Sequence, residues 1–159
     1  MARPSRKTDP KKLRSRFWER VALKDMTPAE WEALCDGCGK CCLNKLEDAD
    51  TGEVVFTRIA CRLLDDSTCR CANYAIRKSI VPECVVLSPK ALGEVVYWMP
   101  ASCAYRRLWE GRGLADWHPL VSGDPESVHE AGMSVQGWTI PEFDVPLEDW
   151  EDHLIEEEL

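Results

Sequence analysis

The sequence predicts a small α+β domain, mainly helical, that is organised around a cysteine-rich segment. The chain has 159 residues, the size of one ordinary domain, and 45% of them are apolar, so it can bury a core. Eight of its nine cysteines fall between residues 35 and 84, where regular secondary structure is hard to recognise. We therefore expect a disordered basic lead-in over residues 1–10 and a single cysteine-rich domain over residues 11–159.

Helical patterns begin near the N-terminus. Apolar residues at helical spacing predict a short amphipathic helix within residues 11–24: Leu13, Phe17, Val21 and Leu23. The start of the next helix is sharper, because Thr27 can cap it, Pro28 suits its first position and Glu30 can return a bond to the cap. This second helix should end at Cys35 and so lead directly into the cysteines.

The middle of the chain alternates between short elements and turns. A short strand is predicted at residues 54–56, after a Thr-Gly turn, and one or two helical turns at residues 74–80. The Ser88–Pro89 pair predicts the start of a helical turn through Leu92, which Gly93 weakens, and a further helix is predicted over residues 102–110 with a glycine stop.

The C-terminal third is predicted to be less regular. Residues 111–132 are rich in Gly, Pro, Asp and Ser and should form a long ordered loop, and residues 133–140 alternate loosely enough for a strand. An apolar stripe then predicts an acidic C-terminal helix: Leu147, Trp150, Leu154 and Ile155.

Charge and hydropathy exclude several classes of protein. Residues 1–20 carry a net charge of +6 and the remaining residues −14, so the body would repel phosphate and nucleic-acid binding is not expected. No apolar run approaches the roughly 18–20 residues of a membrane-spanning helix, and the basic start is not followed by the apolar region of a secretory signal. We therefore expect a cytoplasmic protein with no membrane partner. The sequence names no protein partner.

The cysteines carry the strongest indication of function. They begin with a CxxCxxCC motif at Cys35, Cys38, Cys41 and Cys42, and continue at Cys61, Cys69, Cys71, Cys84 and Cys103. In a cytosolic chain such spacing favours metal binding over disulfides, and soft thiolates favour zinc, cuprous copper or iron–sulfur clusters over magnesium or calcium. Gly37 and Gly39 agree with this, since a loop that folds tightly around a metal needs small residues and positive φ angles.

The identity of the metal stays open at this point. Cys35, Cys38 and Cys41 match the first three cysteines of a bacterial ferredoxin run, but Lys45 stands where the fourth would be expected. Zinc fits equally well, with Cys35 and Cys38 as a knuckle that needs two more distant thiolates. The adjacent Cys41 and Cys42 point in different directions, which indicates different sites or a bridge. The expected cofactor is therefore zinc or iron, the latter including an iron–sulfur cluster.

Three segments carry a resemblance to a known family: CDGCGKCC, then CRLL at 61–64, then CANYAIRKSIVPEC at 71–84. They resemble the bacterial CxxCxxCC family of zinc- or iron-chelating domains, and FWERVALKDMTPAEWEALCDGCGKCC and DWHPLVSGDPESVH are similar to its YcgN-like branch. The resemblance implies that seven cysteines are metal ligands: Cys35, Cys38, Cys41, Cys42, Cys61, Cys71 and Cys84. Cys69 and Cys103 lie outside the pattern. We expect Cys69 to complete a second four-thiolate site and Cys103 to be the spare.

The role of such a site is predicted to be structural, sensory or redox. The alternative is a zinc- or iron–sulfur-dependent modifying enzyme, by analogy with a flagellin lysine N-methylase that has a similar cysteine pattern. Its chemistry would use the loop at residues 116–129, where His118 and His129 are either ligands or acid/base groups, or else fasten the loop. No role is expected for His153, and the sequence does not identify catalytic residues.

Overall fold

The computed structural model describes residues 13–157 and residue 159. It confirms the α+β class, but helical segments cover 37% and strands 13%, so the description as mainly helical is not supported. The predicted lead-in at residues 1–10 lies outside the described residues. Within the described part of the chain, no helix is long and apolar enough to span a membrane.

The N-terminal helix is shorter than predicted. Helix α1 spans Phe17–Arg20 and is followed by a separate 3-10 turn at Leu23–Asp25, because the backbone at Val21 and Ala22 is extended. The apolar stripe is nevertheless correct. Phe17 is fully buried, and the other three apolar residues of the stripe pack against the same core.

Helix α2 spans Pro28–Ala33 and begins as predicted, with a capping box. The Thr27 hydroxyl accepts a bond from the Glu30 amide at 3.2 Å, and the Thr27 amide donates to the Glu30 carboxylate at 3.0 Å. Arg14 adds a 2.6 Å bond from its Nη2 to the same buried carboxylate. The Arg14 bond is the main reason that the pKa of Glu30 is lowered to about 2.

A three-stranded sheet follows the cysteine loop. Strands β1 (Leu43–Glu47) and β2 (Val54–Ala60) are antiparallel, and a short strand β5 (Ile140–Pro141) lies parallel to β2 on its other edge. The strand predicted at 54–56 is thus confirmed and is longer. The strand predicted at 133–140 is wrong except for its last residue, because the chain turns at Gly137, where φ is +78°, before it reaches the sheet.

Short elements complete the described chain: strands β3 (Leu64–Asp65) and β4 (Arg70–Cys71), 3-10 turns at Tyr74–Ile76 and Glu142–Asp144, and helices α3 (Arg77–Ile80), α4 (Pro89–Val95), α5 (Ala104–Trp109), α6 (Pro119–Ser122) and α7 (Ser127–Glu130). The helical turns at 74–80 and the helix after Ser102 were predicted, whereas α4 continues to Val95, beyond the turn through Leu92 that was predicted after Ser88. The loop at 111–132 was predicted without α6 and α7, which are each only four residues long.

The C-terminus is not the amphipathic α-helix that was predicted. Residues Leu147–His153 form a 3-10 helix, after which the chain extends along β2, where Leu154 bridges Thr57 and the Ile155 amide bonds the Phe56 carbonyl. Leu147 is 71% exposed. The apolar stripe fails because a 3-10 helix, with three residues per turn, does not keep α-helical spacing on one face.

The buried apolar residues form two clusters. The larger is formed by helices α1, α2, α4 and α5 and comprises Phe17, Trp31, Leu34, Leu92, Met99 and Tyr105. The smaller contains Leu43, Cys69 and Val135. Since Leu34 and Leu43 flank the CxxCxxCC motif, both ends of the motif are anchored in a buried cluster.

Candidate metal centre

The CxxCxxCC motif forms a tight loop between α2 and β1. Gly37 and Gly39 have φ angles of +80° and +77°, as predicted, and the backbone then makes a 3-10 turn over Lys40–Cys42. A Cβ atom at Gly39 would lie only 2.8 Å from Cγ2 of Val135 and 3.1 Å from Cβ of Cys69. Glycine is therefore required at position 39 both by conformation and by space.

All nine cysteines lie in the described residues and carry free thiols. They fall into two sets, in each of which the charge of one thiolate raises the pKa of other thiols of the same set. We call Cys35, Cys38, Cys41 and Cys103 the first thiol group, and Cys42, Cys61, Cys71 and Cys84 the second thiol group. Cys69 stands apart from both.

In the first thiol group, desolvation is the main cause that raises the pKa of Cys35 and of Cys103, each to about 12. The charges of Asp36 and Cys41 raise both further. Desolvation likewise raises the pKa of Cys38, with added contributions from Asp36, Cys41 and Cys103. Cys35, Cys38 and Cys103 are therefore protonated at neutral pH unless a positive charge is placed among them.

Asp36 is the buried acid at the centre of this group. It is 4% exposed, and its Oδ1 accepts a bond from the Cys38 amide at 3.0 Å. Its Oδ2 is the buried side-chain oxygen or nitrogen atom that has no hydrogen-bond partner among the described residues. Leaving a carboxylate oxygen buried and unpaired is costly, and proteins normally compensate with a proton, a hydrogen bond or a cation.

The adjacent Cys41 and Cys42 join the two groups. The Cys42 thiol donates to Cys41, and the nearby Lys45 ammonium attracts the resulting charge, so the pKa of Cys41 is lowered. The same hydrogen bond, followed by desolvation, raises the pKa of Cys42. Cys41 is consequently the thiol of this pair that ionises first.

Lys45 occupies the position where a ferredoxin run would have its fourth cysteine. Its Nζ donates to the carbonyls of Cys41 at 3.0 Å and Leu43 at 2.7 Å, and lies 4.7 Å from the ring centre of Trp98 and 5.1 Å from that of Phe56. Desolvation lowers its pKa, whereas thiols of both groups raise it. The ammonium is thus held as a fixed positive charge beside the cysteines.

Backbone contacts bring the second thiol group together. The Cys61 amide donates to the Cys42 carbonyl at 2.8 Å, and β3 pairs with β4 so that Leu64 lies opposite Cys71. Cys84 follows α3, and the Arg62 guanidinium ties the end of that helix to Cys61 by a 2.8 Å bond to the Ile80 carbonyl. Cys61 interacts electrostatically with both Cys71 and Cys84.

Cys69 has a different environment. It is 5% exposed and packs with Leu43 and Val135, and its φ angle of +56° is unusual for a residue other than glycine. Desolvation raises the pKa of its thiol, and the Ser134 hydroxyl opposes this rise. The Ser134 hydroxyl in turn is 2.7 Å from Nδ1 of His129. Cys69 therefore belongs to a small polar chain at the edge of the second apolar cluster.

The thiols do not form a closed metal site as they stand. Among residues 13–157 and 159, no three His, Cys, Asp or Glu side chains are close enough to ligate one ion, so metal binding would require side chains to turn toward one another. The donor set itself fits a soft metal, since four thiolates suit tetrahedral zinc or an iron–sulfur cluster. The unpaired Asp36 oxygen agrees with a cation beside the first thiol group.

His118 is a structural residue. It is 1% exposed, its Nδ1 accepts from the Leu120 amide at 3.0 Å, and its Nε2 donates to the Leu34 carbonyl at 2.8 Å. The amide donor assigns the proton to Nε2, so the ring is neutral, and desolvation lowers its pKa. Because both ring nitrogens are bonded to backbone, His118 caps α6 and ties it to the end of α2 rather than presenting a free ligand or base.

Comparison with known proteins shows which family has this arrangement of cysteines. Residues 34–104 match a family described as "CxxCxxCC: Putative zinc- or iron-chelating domain". A UPF0260 protein of Rhodobacter capsulatus is 66% identical over 145 residues, which are 91% of this chain and 97% of that protein. The chain belongs to the UPF0260 family.

Other UPF0260 proteins align over nearly the same length. That of Rhizorhabdus wittichii is 59% identical over 90% of this chain and 96% of its own, and that of Marinobacter nauticus is 56% identical over 87% and 93%. No solved structure matches the chain. The family resemblance inferred from the cysteine motifs is thus confirmed, and the family description covers zinc or iron without choosing between them.

Two charged residues of this UPF0260 chain were not recognised as part of the site from sequence. Asp36 precedes a glycine, as aspartates in ordinary turns do, and nothing in its spacing distinguishes it. Lys45 was noted only as a missing cysteine. The available indication was position, since both residues lie within three of a motif cysteine.

Proposed function

We propose that this protein is a cytoplasmic metal-binding protein whose residues 11–159 form one domain that holds zinc or an iron–sulfur cluster through cysteine thiolates. The ligands come from the CxxCxxCC motif and the downstream cysteines, and the site has a structural, sensory or redox role. The observation that carries the proposal is the tight CxxCxxCC loop, whose cysteines are free thiols and which also holds a buried, unpaired carboxylate oxygen. Free thiols in this number are typical of a reducing compartment.

The protonation of the buried thiols in the first thiol group supports the binding of a metal ion. Burial opposes ionisation of Cys35, Cys38 and Cys103, whereas a bound metal ion deprotonates a ligating thiol outright. Metal binding would therefore replace buried S–H groups by metal–thiolate bonds and would offset the negative charge of Asp36. The family description, zinc or iron chelation, supports the same chemistry.

Metal binding is proposed rather than catalysis because the ring of His118 is not free to act as a ligand or a base. The enzyme hypothesis used His118 and the loop at 116–129, but both nitrogens of this ring are bonded to backbone groups. Zinc bound at the cysteines would stabilise the loop, and an iron–sulfur cluster would in addition allow electron transfer.

The test is metal analysis of the full chain purified without oxygen. Stoichiometric zinc without acid-labile sulfide, or iron with equivalent sulfide and visible absorption, would support the proposal and identify the cofactor. A chain that contains neither, and binds neither zinc nor cobalt on addition under reducing conditions, would overturn it.

Metal removal supplies a further prediction. Structural zinc contributes on the order of 10–16 kcal/mol to folding of small metal domains. Treatment with a chelator and a reductant should therefore lower the melting temperature and the helical circular dichroism. Identical melting of loaded and verified metal-free chains would contradict a stabilising role.

A further inference from the structure

Two neighbouring surfaces of this chain have complementary charge. One, which we call the basic surface, comprises Ile76, Arg77, Lys78, Val85 and Val86. The other, which we call the acidic surface, comprises Phe143, Asp144, Leu147, Glu148 and Asp149. We infer that the basic surface of one copy packs on the acidic surface of a second copy, so that two chains form a dimer with twofold symmetry. This inference goes beyond metal binding and uses none of the cysteine side chains.

Large apolar side chains are exposed on both surfaces. On the acidic surface, Phe143 and Leu147 are 78% and 71% exposed. On the basic surface, Ile76, Val85 and Val86 are also exposed. A single apolar residue on a surface needs no explanation, but apolar residues grouped among charges mark interaction sites, because contact with a partner removes them from water.

The cations of the basic surface are fixed without being neutralised. Lys78 donates from its Nζ to the Cys84 carbonyl at 2.9 Å, which brings α3 to the residue before Val85. Arg77 donates from its Nη1 to the Tyr74 carbonyl at 2.7 Å, and its guanidinium carbon lies 3.8 Å from the centre of the Tyr74 ring. A carbonyl and a neutral ring carry no net charge, so both positive charges remain available to an acidic partner.

The carboxylates of the acidic surface are available in the same way. Asp144, Glu148 and Asp149 are exposed, and none of them forms a side-chain hydrogen bond or an ion pair with another residue of the described chain. Their segment, residues 142–153, has six acids and no Lys or Arg, whereas residues 70–90 have four Lys or Arg and one acid. The whole chain carries a net charge of −8, so two copies repel each other unless such opposite segments meet.

Arg62 shows that the two surfaces adjoin. Its Nη1 donates to the carboxylate of Glu142, the residue before Phe143, at 3.0 Å, and its Nη2 donates to the Ile80 carbonyl at the end of α3 at 2.8 Å. Because one guanidinium contacts both segments, a twofold axis between the surfaces places each of them against its complement on the second copy. Both contacts then form at once, and the pair closes without leaving either surface open.

The experiment is sedimentation of the reduced full chain from about 1 to about 100 µM, the range in which weak dimers dissociate. The wild type should be dimeric at the higher concentrations. Two double variants, Arg77→Glu with Lys78→Glu and Glu148→Lys with Asp149→Lys, should each raise the dissociation constant at least about tenfold, because like charges then face each other. An equimolar mixture of the two variants should form dimers again, since reversal of both surfaces restores opposite charges at both contacts.

The matched control is Glu126→Lys with Glu130→Lys, which changes the net charge equally at two exposed positions outside both surfaces. It should dimerise like the wild type. Circular dichroism and metal content are measured for every variant. If a charge variant does not fold, Ile76→Ser tests the basic surface and Phe143→Ser the acidic surface, and each should also raise the dissociation constant because apolar contact area is lost.

The pairing would be overturned by a monomeric wild type, which would leave these surfaces to a different partner, or by assemblies larger than a dimer. Wild-type dimerisation of a folded surface variant would overturn it too, as would a mixture of the two charge variants that stays monomeric or a control that dissociates. Failure of the proposed function is distinguishable, because it is read from metal content, which these outcomes do not measure.

Discussion

Replacing His118 by alanine should destabilise the protein through its backbone contacts, without any direct effect on metal ligands. The change removes the 2.8 Å bond to the Leu34 carbonyl and the 3.0 Å bond from the Leu120 amide. Leu34 is fully buried, so its unsatisfied carbonyl costs about 1–3 kcal/mol, and the lost helix cap costs about 1 kcal/mol. With the space left by the ring, we expect a loss of about 3 kcal/mol in the free energy of unfolding.

Urea unfolding followed by tryptophan fluorescence measures this loss, with both chains in the same metal state. His153→Ala is the control: His153 ends the C-terminal 3-10 helix and is partly exposed, so its change should stay within about 0.5 kcal/mol. A loss below about 1 kcal/mol for His118→Ala would refute the reasoning, because a buried carbonyl and a part-buried amide cannot both be left unpaired at so small a cost.

Burial of His118 should also make the free energy of unfolding depend on pH. Desolvation lowers the pKa of His118 in the folded protein, although the Leu34 carbonyl and Asp36 oppose it. Protons therefore bind the unfolded chain more readily, and the contribution of neutral His118 is complete above about pH 6.5 and is lost as the pH falls through the lower folded pKa. Between pH 7 and pH 5 the wild type should lose more stability than His118→Ala. Equal losses would show that the ring does not titrate as a buried group.

Two further predictions concern the frame around the site. Gly39→Ala should unfold at a much lower urea concentration than Gly137→Ala; both glycines have φ near +77°, but only the first would place its Cβ against Val135, and equal midpoints would contradict the close contact. For Glu30, whose pKa is lowered to about 2 chiefly by Arg14, stability is complete above about pH 4.5 and declines toward pH 2. Arg14→Met should flatten this acid decline in melting curves, and an unchanged decline would refute the pairing.

Local chemistry made several features predictable from sequence. The capping box at Thr27 and the helix start at Ser88 each depend on residues within one turn of each other, so no distant contact is needed to specify them. The positive φ angles of Gly37 and Gly39 likewise follow from residue type in a tight loop. The choice of a soft metal depends on the chemistry of the sulfur atom alone.

Features that depend on distant partners were not predictable in this way. Strand β1 exists because β2 pairs with it, and the C-terminus extends along β2 instead of remaining helical because its amide at Ile155 finds the Phe56 carbonyl. His118 has ordinary turn residues around it, and its structural role comes from the Leu34 carbonyl, 84 residues away in the chain.

Some properties of the cysteines follow from the sequence, and others depend on contacts made in the folded chain. Their number, spacing and reduced state follow from the chain itself, and these are sufficient to indicate a thiolate site and the family. Spacing cannot say which cysteines become neighbours, because the Cys42 carbonyl accepts its bond from the Cys61 amide, far along the chain. Contacts between segments far apart in the chain, Lys40 with Ser102 and Cys42 with Cys61, decide which cysteine-bearing segments are neighbours. Coordination is a matter of distance in space, so the grouping of the ligands emerges only when the chain has folded.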